Sequence, residues 1–478
     1  MANPLARVLV ALLLLLASVA WAGEGLVNTN VIRRVDLGAL PFVKEQIGVV
    51  VQNEHASKAI RSYVVVVPLA KQAQLASIDV HERKSGAELL VERQELDGHR
   101  YVAKFHEPLQ PGQKISLNID LTLLSSVEPR PAVVSQTGDQ TWVWTDNVLV
   151  TSAYPTRKQK TVVQTRGDIR RVTEVAETKK ERRSVTFGPY TDSRDQEVEV
   201  HFQDNTEQLE ALTHRREYFV SHWADDLNVL EHYVLRNRAP KVDAFDKVKQ
   251  AVAKFMKNRD NFVKSLLIKV PADARNMYVV DEIGNVSTSA VTGRRRVKGQ
   301  SPFKVMQLSP RYPMAGGWNY TWWHGYSVPL STHLRMQGSR YKLLVPFIGT
   351  IFGSASSDDE LPLSALDKTN AAVRDYELHI TLPEGASGVE VHVPMEVDSV
   401  SLQPFSYYLD STGRTVVNIS THNVPPDAHL AQVLVEYNYT AASLWQKPVC
   451  VALVVGLLFV AASLANRMQF GLKPAQKA

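Results

Sequence analysis

Between Pro448 and Ala465 the chain has no charged residue and is almost wholly apolar. This run constrains the fold more than any other feature, because a lone segment crosses hydrocarbon only as a helix that satisfies its own backbone. At 1.5 Å per residue it extends about 27 Å, the depth of a thin bilayer such as that of the endoplasmic reticulum. Trp445 and Lys447 stand at its start, where an aromatic ring and a snorkelling cation suit the interface. Arg467, Lys473 and Lys477 follow it, so the positive-inside rule puts 467–478 in the cytosol. At the other terminus Arg7 precedes an apolar core, Val8 to Ala17, and then Ala20-Trp21-Ala22. That core is too short to span, and the small residues at 20 and 22 predict signal cleavage after Ala22. The expected topology is type I: signal peptide 1–22, lumenal mass 23–446, transmembrane helix 447–466 and cytosolic tail 467–478.

The only cysteine, Cys450, lies inside the span, so the lumenal part has no disulfide and must be held by its own core. A hydrophobic fraction of 44% is ample for one. Strand periodicity dominates that part. Ile115 to Leu123 alternates strictly, placing Ile115, Leu117, Ile119, Leu121 and Leu123 on one face. Glu197 to Phe202, Tyr376 to Leu382, Val389 to Val393 and Val433 to Tyr439 alternate likewise, and Pro383-Glu384-Gly385 predicts a hairpin turn between two of them. Helical spacing appears over Val242 to Leu267, following the polar Arg236-Asn237-Arg238-Ala239-Pro240, and reads as a seam. Ser354 to Leu363 reads as an exposed loop. No internal repeat is visible. The fold class that follows is mainly β: two consecutive antiparallel, sandwich-like lumenal domains, 23–240 and 241–446, then one membrane helix.

Few residues suggest chemistry. Phosphate loops, dinucleotide fingerprints, zinc-protease helices and nucleophile elbows are absent from the sequence. His81-Glu82 and His106-Glu107 lack a second histidine four residues on, so neither supports a zinc site. Asp358-Asp359-Glu360 reads as solvated, and so do the basic clusters Lys179 to Arg183 and Arg294-Arg295-Arg296. A net charge of +5 without basic stripes interleaved with aromatics argues against nucleic acid. No residue stands out as catalytic, cofactor-binding or metal-binding, although a dispersed triad would leave no pattern. Four sequons fall in the expected lumen, at Asn285, Asn319, Asn418 and Asn438; the last is the weakest candidate for a glycan, being on a strand close to the span.

Two segments carry a resemblance. Tyr278 to Ser289, containing Asp281-Glu282-Ile283-Gly284-Asn285-Val286-Ser287-Thr288-Ser289, resembles the D-E-I-G-N-V-S-T-S signature of the ribophorin I family. Arg311-Tyr312-Pro313-Met314-Ala315-Gly316-Gly317-Trp318 resembles the family's R-[FY]-P-x-x-G-G-W run, continued by Gly325-Tyr326 and Pro329. Shorter matches follow in the family's order: Tyr154-Pro155-Thr156, Ser221-His222-Trp223, Leu382 to Ala386, and Asp410 with Gly413-Arg414. The glycines suit a scaffold, Gly284 by permitting a turn and Gly316-Gly317 by permitting close approach under a large ring. Trp318, Trp322 and Trp323 read first as core residues.

The resemblance implies a non-catalytic type I subunit of the oligosaccharyltransferase complex, which moves an oligosaccharide from dolichyl diphosphate to asparagine of N-x-[ST] acceptors. It implies as partners a catalytic polytopic subunit, other small membrane subunits, nascent acceptor polypeptide and the endoplasmic reticulum membrane. Animal members carry a long cytosolic domain linked with ribosome docking. Here about a dozen residues, Asn466 to Ala478, follow the span, so direct ribosome binding is not carried over. The same topology also suits a single-span lumenal cargo-binding or translocon-accessory protein, but the tail has only isolated Arg467, Lys473, Lys477 and Phe470 as sorting signals.

Overall fold

The structure, a computed structural model, describes residues 25–467 except 95–98, 192–195, 250, 252–260, 294–300, 339, 355–370 and 408–409. The leader, the tail, Arg294 to Arg296 and Asp358 to Glu360 therefore lie outside the described residues.

Two β units follow one another, and the second repeats the strand order of the first with two short additions. In the first, β1 (Leu26–Leu37), β2 (Phe42–Asn53), β3 (Leu75–Glu82), β4 (Lys114–Leu124), β5 (Gln159–Thr165), β6 (Thr178–Lys180) and β7 (Ser184–Tyr190) form one sheet in the order β6-β7-β5-β1-β2-β4-β3. In the second, β8 (Leu209–Ser221), β9 (Asp226–Asn237), β10 (Arg275–Asp281), β11 (Asn319–Pro329), β12 (Ala371–Thr381), β13 (Ser399–Phe405) and β14 (Arg414–Val424) give β13-β14-β12-β8-β9-β11-β10. Gly284–Asn285 extends the second sheet beyond β10. Strands β1 and β5 run parallel, as do β8 and β12. Their neighbours in both sheets are antiparallel.

The covering sheets correspond too. Ile60–Val66, Arg100–Leu109 and Leu90–Arg93 recur as Ser265–Pro271, Phe303–Leu308 and Ala290–Val291, with Thr350–Ser354 added at one edge. Ile169–Val172, Glu197–Gln203, Thr141–Asn147 and Val127–Pro129 recur as Ser387–His392, Gln432–Asn438, Arg340–Pro346 and Leu334–Gln337. The expectation of no repeat is thus corrected: the duplication lies in topology, which side-chain patterns encode only loosely.

Each main sheet buries one face, and its two covers lie end to end along that face. Val35, Val163 and Phe187 meet Trp142, Trp144 and Phe202 towards one end, while Val31, Ile47 and Leu117 meet Tyr63, Tyr101 and Phe105 towards the other. The second core runs from Leu209 to Tyr437 around Trp322, whose ring stacks on Tyr233 at 4.8 Å. Phe42, Leu124 and Ala372 join the two units. Each unit also buries one arginine on its first strand and one glutamate on its second. Arg33 donates to Glu45 at 2.9 and 3.1 Å, and Arg216 lies 3.3 Å from Glu231. Lys71 and Asp146 complete the first cluster; His214 and Tyr233 surround Glu231 in the other.

Three local expectations change. Strands β8 and β9, within the expected first domain, pair with β11 and β12 of the second, so the cores separate between Gln203 and Leu209 rather than at 240. The helical seam over Val242 to Leu267 is interrupted: Lys241–Val242 and Ser265–Pro271 are strands, 247–249 and 251 are helical, and 252–260 lie outside the described residues. No hairpin joins Tyr376–Leu382 to Val389–Val393. Strand β12 pairs with β14, and Ser387–His392 pairs with Gln432–Asn438 in the cover, because the chain leaves the sheet where Pro383 lacks an N–H to continue it. The alternating segments Ile115 to Leu123 and Glu197 to Phe202 are strands as expected, and Val433 to Tyr439 is one as far as Asn438.

The last described element is α1 (Ala441–Arg467), long and apolar enough to cross a membrane and with no buried residue. Pro448 lies within it. Proline has no N–H for the carbonyl four residues earlier, so the Leu444 oxygen is left without its helical donor.

Candidate functional site: two braced surfaces

The sequence signature closes into one brace. Asp281 ends β10 and is buried. Its Oδ1 accepts the backbone N–H groups of Ile283 and Gly284, both at 3.0 Å. Its Oδ2 accepts Tyr320 O–H at 3.2 Å and the Arg311 Nε–H. Arg311 Nη2 donates onward to the carbonyls of Gly284 and Asn285 at 3.2 and 3.1 Å. Burial works to raise the Asp281 pKa, but Arg311 and the two N–H groups outweigh it and hold the carboxyl below its usual range. One carboxylate therefore ties the D-E-I-G-N turn to the R-Y-P-M-A-G-G-W run.

The glycines fit this brace. Gly284 has φ +138°, a conformation that favours glycine. Gly316 passes so near the Ala239 and Pro240 carbonyls that a Cβ would fall 1.9 Å from the Pro240 oxygen. The close approach is to backbone; the glycine beneath a ring is Gly325, under Tyr278. With the polar groups turned inward, the brace presents Ile283 (81% exposed), Glu282, Tyr312 and Trp318 outward, with Pro313 half-buried between them. The tryptophans divide accordingly: Trp322 is core, Trp323 half-buried and Trp318 half-exposed.

The four sequon asparagines differ in access. Asn285 and Asn319 are exposed beside the brace. Asn418 is half-buried in β14 with its Oδ1 covered and unbonded, and the half-buried Asn438 side chain packs on Gly388.

A second cluster forms at the entry to α1, where the shorter sequence matches converge. Trp223 donates its indole N–H to the Leu444 carbonyl at 2.8 Å, the same oxygen that Pro448 strips of its helical partner. Glu384 Oε1 accepts from the N–H and hydroxyl of both Ser411 and Thr412, while Lys447 lies 3.1 Å from its Oε2. Lys447 also donates to Asp410, which holds Arg414 at 3.1 Å. Burial acts to raise both carboxyls, yet the donors win: Glu384 is lowered to about 2 and Asp410 is held far below its ordinary value. Gly385 has φ +84° against the Ser443 side chain. His222 donates or accepts with Tyr437 O–H at 2.8 Å and packs on Tyr439. Tyr154 serves elsewhere, its hydroxyl accepting Val64 N–H inside the first unit.

In the sequence Trp223 and Asp410 stand only within short family-like matches, and Glu384 within a turn signal. Pro448 inside an apolar helix was the one available signal, since it announces an orphan carbonyl; the donor comes from 221 residues earlier and is set only by the fold. His81 lies 3.3 Å from Asp120 and His106 bonds the Glu88 carbonyl, each an isolated contact. Among the described residues no group of three metal-binding side chains occurs.

A family model described as Ribophorin I matches residues 26–466. A Caenorhabditis elegans protein named dolichyl-diphosphooligosaccharide–protein glycosyltransferase subunit 1 is 27% identical over 376 residues, 77% of this chain and 60% of that protein. The chain thus spans about three fifths of that relative's length. An Arabidopsis thaliana protein named subunit 1B of the same transferase is 28% identical over 95% of both chains. A Schizosaccharomyces pombe subunit 1 is 24% identical over 92% of this chain and 94% of its own. An M1 zinc metallopeptidase from Deinococcus radiodurans aligns at 10% identity and TM-score 0.24, covering 41% of this chain and 48% of that one, too distant to carry an argument.

Proposed function

This chain belongs to the ribophorin I family, and on that premise we propose that it is a non-catalytic subunit of an oligosaccharyltransferase. In that role it supports transfer of the lipid-linked oligosaccharide to N-x-[ST] asparagines, while a separate polytopic subunit performs the chemistry. It sits in the endoplasmic reticulum membrane as a single-pass type I protein with both β units in the lumen. Its neighbours are the catalytic subunit, small membrane subunits and the passing acceptor chain. The observation that carries this reading is the family match over 26–466, joined to relatives of nearly equal length named as subunits of that transferase.

The braces support it physically. Asp281 and Arg311 are spent on each other, as are Glu384, Asp410 and Lys447, so these groups fix shape. The exposed Ile283, Tyr312 and Trp318 suit a protein contact, where aromatic residues are enriched. Asn285 and Asn319 are the asparagines open enough to carry glycans of their own.

Native purification of the tagged chain tests the reading: transferase activity co-purifies, and depletion leaves sequons of reporter glycoproteins underoccupied. A tagged chain recovered without transferase activity, together with normal glycosylation after depletion, overturns it.

A further inference from the structure

The entry to α1 carries more apolar surface than one helix needs. Leu444 lies four residues before Pro448, so its carbonyl stands about 6 Å above the start of the apolar run. Trp223, bonded to that carbonyl, is fixed at the same height. Its ring meets Trp445 edge-on at 5.6 Å, and each ring is 56% exposed. An indole whose N–H is satisfied and whose face is open is the side chain favoured at a lipid–water boundary.

A second group of rings is tied to the entry of α1 through Lys447. Lys447 and Arg414 share Asp410, and the Arg414 guanidinium lies over Phe219 at 4.8 Å and Tyr407 at 5.3 Å. Tyr407 packs on Phe405 at 4.7 Å. Phe405 is 51% exposed and Tyr407 43%. Phe405 ends β13, the outermost strand of its sheet, and Ser399 at the other end lies about 20 Å away along the strand.

The charges in this collar cancel. Two anions, Glu384 and Asp410, face two cations, Lys447 and Arg414. A neutral collar of rings suits zwitterionic headgroups and needs no acidic lipid. We infer that Trp223, Phe405 and Tyr407 seat the base of the second β unit in the headgroup layer of the lumenal leaflet, so that the membrane holds the lumenal mass at a fixed tilt. The occupant is lipid because the collar continues directly into the span. The inference depends on α1 crossing the bilayer, and not on the role in glycosylation.

The test uses the full chain in phosphatidylcholine nanodiscs, with Cys450→Ala removing the only native thiol. Nitroxide labels are placed through Phe405→Cys and, separately, Ser399→Cys. Label 405 is expected to collide more with oxygen than with an aqueous nickel chelate, and label 399 to do the reverse. Label 405 as open to nickel as label 399 overturns the inference. Shielding of label 405 from both probes also overturns it, since protein then covers the site. Trp223 gives a second readout with residue 405 intact. Lipids brominated near the headgroup are expected to quench wild type more than Trp223→Phe, and equal quenching counts against lipid contact.

Discussion

Replacing Asp281 by asparagine tests the brace with almost no change of shape. The retained oxygen still accepts the Ile283 and Gly284 N–H groups. The new amide, however, faces Arg311, which has only donors to offer. Tyr320 adapts, because its hydroxyl can turn and accept. The loss is therefore one charge-assisted bond, worth about 1.5–3 kcal/mol when formed. Arg311 is a third exposed, and solvent screening trims the figure toward about 2 kcal/mol. For a unit of this size that corresponds to a fall of roughly 4–8 °C in its melting temperature. Differential scanning of the detergent-solubilised full chain measures it. A double-mutant cycle with Arg311→Gln is expected to return a coupling of about 1–2 kcal/mol. Because the residue braces and does not react, Asp281→Asn should restore sequon occupancy when cells are grown cool. Additive single mutants, or loss of occupancy at every temperature with an unchanged melting curve, would refute the reasoning.

Glu231→Leu strips the partner from buried Arg216 and should cost about 3–5 kcal/mol, read as a large shift of the urea midpoint for the second unit alone. Trp223→Ala removes the exposed bond to the Leu444 carbonyl and should cost about 0.5–1.5 kcal/mol, whereas Trp445→Phe, which loses no bond to that carbonyl, should cost less; thermal scans separate the two. Glu384 titrates near 2 when folded against an ordinary 4.5, so its stabilisation is complete above 4.5 and lost as pH falls toward 2. Glu384→Gln should flatten that acid limb in urea midpoints taken across pH. Glycan mapping by mass spectrometry should find Asn285 and Asn319 occupied and Asn418 bare, as their exposure differs.

What the sequence made legible follows physical range. Period-two alternation is local, so Ile115 to Leu123 and Val433 to Tyr437 could be read as strands directly. Which strand each one joins is not local, and the turn at Pro383-Glu384-Gly385 passes between sheets instead of folding back. The duplication was invisible for a similar reason. Even its most distinctive shared feature, the buried arginine and glutamate, sits in two registers: Arg33 faces Ile47 with Glu45 two residues along, whereas Arg216 faces Glu231 directly. The signature residues were recognised as a string, but that Asp281 holds Arg311 across 30 positions is a tertiary fact. Exposure of Trp318 beside buried Trp322 likewise depends on where β11 begins.

The two parallel pairings set a timetable for synthesis. Val31 must wait for Gln159, and Leu209 for Ala371, before the opening strand of either unit gains its second neighbour. At ribosomal speeds of about 5–20 residues per second that delay is on the order of ten seconds, with a strand edge bare throughout. The final cover strand of the second unit, Gln432–Asn438, is made only a few residues ahead of α1. That unit therefore finishes folding as its own anchor is being released into the bilayer, and maturation and membrane integration become one event.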